Sequence, residues 1–494
     1  MTRSHLFNRP VKMYDVPLQQ VNAMAKRHAL KLPHTLVLIY ALVIGVYLLS
    51  LLVPSGEFQR VEKTVQGQTR IVTVPGTYAP IAKKTLGPEW LLIGPIRGFQ
   101  DGALIIFLIF IFGGVFAVLG KTGAIESGIQ RLARFFARKP GTKKFVIPVL
   151  MIVFSLAGAI YGMAEESIPF VLIFIPLALS LGYDSIVGVA IPFLGSAVGF
   201  SAAFFNPFTV GIAQGLSDLP LYSGLAYRLV LWVVATAVAI VFVMLYASRI
   251  TKDPRKSLVY EIDLARGFVP NDGAAADTPW GPAQKLVLAI LFAGIGLLIY
   301  GILAKGWYME EIAALFLGIG LVSGLVARIR PSEIAASFVA GAKDVMNVTL
   351  IIAGGRAILI ILQEAVVLDT VLQATAGIIS AVPGLITAQM MFFTQGIINF
   401  FIHSGTAQAA LTMPIMSPLS DLVGITRQTT VLAFQLCEVI NPILPTSAVT
   451  MGVLGVAKIP WEKWAKWFVP LMIALIVFSL LALVPPILMH WGPF

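Results

Sequence analysis

Long apolar blocks alternate with short polar segments along this chain, and their lengths predict most of its elements. The blocks at 36–53, 103–119, 225–245, 286–302 and 467–484 carry at most one charged residue each. A helix needs ~20 such residues to cross the hydrocarbon of a bilayer, so each block predicts a spanning helix. Two further blocks, 145–182 and 386–420, read differently. In each, apolar flanks too short to cross separately meet at a polar tip, which predicts a re-entrant helical hairpin. Ile125, Ile129, Leu132, Phe135 and Phe136 recur at helical spacing against arginines, the pattern of an amphipathic helix lying on the membrane surface. Strand-like alternation shows around 69–74, inside a polar external segment at 55–90.

Composition removes the soluble alternatives. The chain has 494 residues, 58% hydrophobic and 12% charged, with a mean hydropathy of +0.89; a soluble domain carries about 25% charged residues. The net charge of +11 would suit a nucleic-acid partner, but the Lys and Arg lie in short segments between apolar blocks, where the positive-inside rule puts them. No nucleic-acid partner is expected. Arg3, Arg9, Lys12, Lys26, Arg27 and Lys31 predict a cytoplasmic N-terminus, and the basic stretches at 121–144 and 249–256 join it. The stretch 364–384 holds no Lys or Arg and is assigned outside. These sides alternate consistently only if the two hairpin blocks enter and leave on one side.

The chain also repeats itself, an observation that decides a fold early. Gly98 and Asp101 correspond to Gly341 and Asp344, and Gly113 with Gly114 to Gly354 with Gly355. The tip at Glu165, Glu166 and Ser167 falls opposite His403, Ser404, Gly405 and Thr406. Asn206-Pro207 matches Asn441-Pro442, and the stretch from Gly215 to Pro220 matches that from Gly455 to Pro460. The surface helix of the first half is basic, and its counterpart at 364–382 lacks Lys and Arg, so the halves read as inverted. Inverted repeats with interrupted helices near the midplane are a recurring transporter plan.

Four places can hold chemistry. Two adjacent carboxylates at the first tip, Glu165 and Glu166, are costly inside a membrane unless they face water, a partner or an ion; an ordinary loop is the plain alternative. The second tip, with Ser404, Thr406 and freedom at Gly405, offers hydroxyls and carbonyls to an ion, or N–H groups to a carboxylate, unless its small residues serve packing. Asn206-Pro207 and the run Glu438, Asn441, Pro442, Pro445, Thr446, Ser447 predict unwound chain lining a cavity; the plain alternative is a proline kink. Arg356, alone in an apolar span, must pair or bind: Glu165, Glu166, Glu438 or a substrate carboxylate are its candidate partners. No nucleophile–base pair, metal-ligand spacing or phosphate loop is visible. The five histidines (His5, His28, His34, His403, His490) are scattered, and the one cysteine is Cys437. No enzyme activity and no cofactor are expected.

These motifs have a family look. Gly162-Met-Ala-Glu-Glu-Ser167, Leu181-Gly-Tyr-Asp-Ser185, Asn206-Pro-Phe208 with Gln214 and Gly215, and the run from Gly405 to Pro414 resemble the YfcC-like branch of the C4-dicarboxylate anaerobic carrier family. Asp421 to Gly424, Arg427-Gln428, Val431 to Gln435 and Pro445-Thr-Ser447 extend the resemblance over almost the whole chain from about residue 31. It implies membership of the wider ion-transporter superfamily, similar to the divalent-anion/sodium symporters, with a scaffold domain, often dimeric, and a mobile transport domain. Members are described variously as dicarboxylate carriers and basic amino-acid antiporters. The Ser-Asn-Thr signatures of the sodium-coupled relatives stand here as Ser404-Gly-Thr406 and Pro445-Thr-Ser447, and the first tip carries Glu165 and Glu166 instead. That departure bears on both sodium coupling and a dianionic substrate.

The expected protein is an all-α, multi-pass protein of a bacterial inner membrane, with two inverted repeats, each holding a re-entrant hairpin and a broken helix. Its parts are a cytoplasmic segment (1–31), first scaffold helices (32–121), a first transport unit (122–247), a cytoplasmic linker (248–284), second scaffold helices (285–363) and a second transport unit (364–494). The expected function is elevator-type secondary transport of an amino acid, of the basic arginine or ornithine type, by ion coupling or exchange. The alternatives are a carrier of C4-dicarboxylate or another carboxylate anion driven by H+ or Na+, and, further off, a passive channel. The expected site is Glu165, Glu166, Ser167, Asn206, Arg356, His403, Ser404, Gly405, Thr406, Glu438, Asn441, Thr446 and Ser447, with H+ or Na+ coupling near Ser404, Thr406 and Thr446. The expected partners are a small-molecule substrate, membrane lipid and a second copy of the chain.

Overall fold

The computed structural model describes residues 35–65, 68–138, 140–266, 280–380 and 384–492. The basic segment 1–31 and the linker residues 267–279 lie outside the described residues. Among those described, nine helices are long and apolar enough to cross a membrane.

The first half opens with α1 (Thr35–Leu52) and a small polar crust: β1 (Gly56–Glu57), β2 (Arg60–Val65), β3 (Gln68–Thr73) and β4 (Ala79–Pro80). Strands β2 and β3 form an antiparallel hairpin with Arg60 opposite Thr73, and β1 pairs with β4. The expected alternation at 69–74 is therefore a strand. There follow α2 (Trp90–Asp101), α3 (Ala103–Lys121), α4 (Ala124–Arg138), α5 (Val146–Tyr161), α6 (Ser167–Ser180) and α7 (Ser185–Ser201). Beyond a break, α8 is short, with wide turns over Pro207–Gly211 and a regular end at Ile212–Leu216. The long α9 (Leu225–Lys252) leads to α10 (Tyr260–Ala265) in the linker.

The second half runs α11 (Pro282–Lys305), α12 (Met309–Val326), α13 (Pro331–Asp344), α14 (Met346–Glu364), α15 (Leu368–Ser380), α16 (Gly384–Phe401), α17 (Gly405–Leu422) and α18 (Arg427–Leu436). A tight 3-10 stretch, Cys437–Ile443, separates α18 from α19 (Ala448–Val456), and α20 (Trp461–Ala482) with α21 (Val484–Leu488) closes the chain.

Glycine decides how the halves meet. Helix α2 packs along α14 so closely that a Cβ on Gly98 would strike the Ala353 carbonyl oxygen. Helix α3 packs along α13 in the same way, and a Cβ on either Gly113 or Gly341 would strike the other's backbone. Gly98 and Gly341 thus each press on the helix that carries the other half's glycine pair. Small residues at such crossings let backbones approach where apolar burial drives nothing, because lipid is as apolar as leucine. Around the crossing, Phe112 is fully buried and meets Phe316 edge to face at 4.9 Å.

Contacts sort the connecting segments into two groups. The crust at 55–80 joins the segments after α8, α14 and α17: Arg60 grips both oxygens of Asp369 at 2.9 Å, Lys63 reaches Asp218, and Arg427 bridges Asp218 and Asp421. The other group holds Lys121 with Glu333, Lys458 with Asp344, and Lys143 over the Tyr183 ring at 4.9 Å. The last contact brings the two ends of the α5–α6 hairpin side by side.

The turn before α7 anchors the linker. Asp184 caps α7 by accepting from Val187 N at 2.9 Å, while its other oxygen accepts from Tyr246 of α9 and from Ser257 at 2.7 Å. Asp263 of α10 accepts from Ser185 N at 2.9 Å. Burial lifts the Asp184 carboxyl to about 6; the hydroxyl and N–H donors pull it back, and nearby Asp263 adds to the rise. Its native value exceeds the unfolded ~3.9, so the stability this group contributes is complete below pH ~4 and is lost as pH rises through about 6. Asp184→Asn is therefore expected to raise the melting temperature at pH 7.5, by up to about 3 kcal/mol of stability, and to change it little at pH 4. Equal shifts at both pH values, read by differential scanning fluorimetry in detergent, would contradict this.

Candidate functional site

Both hairpin tips and both helix breaks converge, and the reason lies in the backbone groups that the breaks set free. Helix α5 ends at Gly162, whose φ of +75° lets the chain turn out of the helix. The turn it makes packs on the first break: a Cβ on Gly162 would stand 2.8 Å from Asn206 Oδ1, and Phe205 N donates to Ala159 O at 3.2 Å. Asn206 caps α8 by accepting from Phe208 N at 2.9 Å. Across the site, Thr406 Oγ1 at the second tip donates to Phe208 O at 2.8 Å, and Gln435 Nε2 donates to Phe200 O. Freed carbonyls at the second break find partners too. Thr450 Oγ1 donates to Asn441 O at 2.8 Å, Trp464 Nε1 to Pro442 O at 2.7 Å and Trp461 Nε1 to Ile443 O at 2.8 Å. Irregular backbone at membrane depth needs such partners or a water-filled cavity.

The polar side chains fall into two neighbouring sets. The first surrounds Glu438, which is 1% exposed. Asn441 Nδ2 donates to its Oε2, while Oε1 has no hydrogen-bond partner among the described residues and points at the start of α17, 3.5 Å from where a Cβ on Gly405 would lie. Thr209 Oγ1, Asn399 Oδ1, Gln435 Oε1 and Asn441 Oδ1 are also without partners among the described residues, as is one donor, Asn206 Nδ2. Four carboxylate or amide oxygens against one amide N–H and one hydroxyl, gathered near two breaks and a tip, suit a cation or a proton better than an anion.

The second set surrounds the acidic tip. Glu166, 7% exposed, turns back to accept from Ala164 N at 2.9 Å, and Ser167 Oγ donates to Ala164 O. Glu165 is half-buried and forms no ion pair among the described residues. Arg356 lies near enough to act on it electrostatically. Tyr308, just before α12, faces the same tip: the Glu165 charge, with burial and Glu166, holds its phenol above the usual range. His403 bonds Thr446 Oγ1 at 2.7 Å, and the Thr446 hydroxyl donates to Phe400 O at 3.0 Å. With that hydroxyl used as a donor, His403 donates through Nε2.

A family model for the C4-dicarboxylate anaerobic carrier matches residues 32–487. The chain belongs to that family. The chain is 36% identical over 471 residues to the protein named "Putative basic amino acid antiporter YfcC" of Escherichia coli (strain K12), covering 88% of this chain and 92% of that one. An uncharacterized protein of Haemophilus influenzae is 27% identical over 417 residues, 84% of this chain and 81% of its own. Among solved structures, the YdaH transporter of Alcanivorax borkumensis aligns with a TM-score of 0.40 and 16% identity over 93% of this chain and 100% of that one. Neisseria gonorrhoeae MtrF aligns with a TM-score of 0.40 and 17% identity over 96% and 97%.

Within this carrier the expected residues are brought together with one correction. Arg356 pairs with Asp101 Oδ2 at 3.3 Å, not with Glu165, Glu166 or Glu438. The pairing follows from the glycine crossing, which sets the C-terminal end of α2 against the middle of α14. The breaks also differ in kind. Ala202–Asn206 leaves the helix entirely, whereas Glu438 and Asn441 sit on a 3-10 stretch and only 444–447 leaves it, as a turn in which Ser447 N donates to Leu444 O at 3.1 Å. Ser404 is exposed and caps α17 by accepting from Ala407 N at 3.4 Å; Ser447 caps α19 in the same manner. Sequence reasoning missed Asp101 as a partner, and Tyr308, Thr209 and Asn399 altogether. Asp101 had a signal, since it ends the repeated Gly98–Asp101 motif; Tyr308 and Thr209 had none.

Proposed function

We propose that this carrier is a secondary transporter of the inner membrane that moves a basic amino acid, of arginine or ornithine type, by alternating access. One observation carries the choice of cargo: among the described residues the acidic tip has a carboxylate without an ion-pair partner, while Arg356 already has one in Asp101. A dianion entering here would meet Glu165 and Glu166 and would have to draw Arg356 from Asp101. A guanidinium or ammonium group would meet Glu165 with no exchange of partners. The description of YfcC as a basic amino-acid antiporter supports the same reading.

The crossed glycine contacts support two inverted halves, because a twofold relation makes each half's motif meet the other's. On that reading α2, α3, α13 and α14 belong to a scaffold, and the hairpins with the broken helices form the moving part of an elevator. The basic segments put the Lys121 face in the cytoplasm. The oxygens around Glu438 would hold the coupling H+ or Na+.

The second reading, a C4-dicarboxylate carrier, follows the family's description. Thermal-shift binding to the purified protein separates the two: arginine and ornithine are expected to stabilise it in a saturable way and succinate is not. Stabilisation by succinate alone would reverse the assignment.

A further inference from the structure

We propose that Arg228 is the core of a buried site for a small monovalent anion of chloride type, set where the first turns of α9 and α18 meet. None of its residues belongs to the hairpin tips or the helix breaks, so the site stands whichever cargo the carrier moves.

Arg228 is 1% exposed and lies on the inward face of α9 with Leu231 and Ala235. None of its three side-chain nitrogens has a hydrogen-bond partner among the described residues. The acids of the adjoining segments, Asp218 and Asp421, are held instead by Arg427. The guanidinium carbon stands 5.9 Å from the centre of the Trp491 ring, at the outer limit of a useful cation–π contact. A guanidinium keeps its charge at neutral pH. Uncompensated, that charge is costly in a medium of low dielectric constant, so such a group pairs or binds.

The surroundings add donors. Arg228 is the fourth residue of a 28-residue helix, where side chains lean back toward the N-terminus. There the free N–H groups and the helix dipole favour an anion. No side chain caps that turn, which starts at Gly224 with φ +74°. A Cβ on Gly224 would strike both Gln428 Nε2 and the Trp491 ring. Gln428 belongs to the first turn of α18, so a second helix start comes in at the same place. Trp491 is pinned over it: its carbonyl accepts from Thr426 Oγ1 at 2.6 Å, and its ring tilts on that of Tyr227 at 5.1 Å.

The enclosure selects the occupant. A lipid headgroup lying on the surface does not reach a guanidinium sealed under Trp491, whereas a single halide ion balances one positive charge in little space. Tyr222, two residues before Gly224, stacks on Phe205 of the first break at 4.1 Å. An anion here therefore firms the turn on which that break rests.

Differential scanning fluorimetry of the purified carrier tests this, with gluconate exchanged for chloride at fixed sodium and ionic strength. The melting temperature of the wild type is expected to rise in a saturable way, by roughly 3 °C at about 100 times the half-saturating chloride. Bromide is expected to act in its place. Arg228→Met is expected to fold and to lose the dependence, since removing the charge removes the need for a counter-ion. Arg228→Lys is expected to keep it at a higher half-saturating concentration. Should the methionine variant fail to fold, wild-type crystals grown in bromide give a second reading: an anomalous peak is expected beside the Arg228 guanidinium. No chloride effect in the wild type, an unchanged chloride effect in Arg228→Met, or bromide peaks only elsewhere would overturn the site. Stabilisation by inorganic phosphate or phosphatidylglycerol in place of chloride would make the occupant a phosphate group and overturn the halide.

Discussion

Gly98→Val is expected to leave almost no well-folded protein, and Gly341→Val is expected to do the same. In both, the new side chain would meet backbone: the Ala353 carbonyl oxygen and Ala357 N, at 2.7 Å, from Gly98; the Gly113 carbonyl from Gly341. Backbone in a helix cannot step aside as the end of a flexible side chain can. Overpacking a close contact costs typically 1–3 kcal/mol and more where nothing yields, a large part of the 5–15 kcal/mol that holds most proteins folded. Gly45→Ala and Gly120→Ala are the controls, since a Cβ at either meets nothing within 4 Å. Size-exclusion chromatography of detergent extracts reads the result. Wild-type amounts of monodisperse Gly98→Val would show that α2 and α14 do not cross as described.

The second large effect concerns transport rather than folding. Glu165→Gln is expected to lower uptake of basic amino acids at sub-saturating concentration by roughly 30- to 1000-fold, the 2–4 kcal/mol that removal of one partner from a desolvated charge pair typically costs. Folding should survive, because Glu165 is half-buried and forms no ion pair among the described residues. Glu166→Gln is expected to do less. Its acceptor bond from Ala164 N holds the tip turn, and a glutamine oxygen can accept that bond equally well. Initial uptake rates beside the melting temperature of each variant separate the two roles; a Glu165→Gln protein with wild-type uptake would remove the acidic tip from the substrate site.

Local pattern was enough for the apolar helices and for the meeting of tips with breaks, but not for the length of the first hairpin arm, since Gly141–Tyr161 is long and apolar enough to cross a membrane on its own. An apolar run of fixed length is a property of contiguous sequence and carries over into coordinates, and so does a polar turn between two apolar helices. The repeated glycines were visible as a pattern, but the contacts they make were not, since the repeat says which residues correspond and not which ones touch. Arg356 shows the limit. Pattern points to the acidic residues nearer the polar motifs, whereas the partner is Asp101, at the end of a helix whose position is set by tertiary packing. The Asp184 anchor is not legible for the same reason, since Tyr246, Ser257 and Asp263 come from three segments with no shared motif. Residues such as Tyr308 and Thr209 have common types in unremarkable surroundings, and only the fold gives them neighbours that matter.

The most direct measurement is counterflow. Liposomes containing the purified carrier and a high internal concentration of unlabelled arginine are placed in trace labelled arginine, and internal label is followed over time. The account predicts a transient accumulation that saturates with external arginine, competes with ornithine and is indifferent to succinate. Accumulation driven by internal succinate with none driven by arginine, or a flux that never saturates, would contradict it.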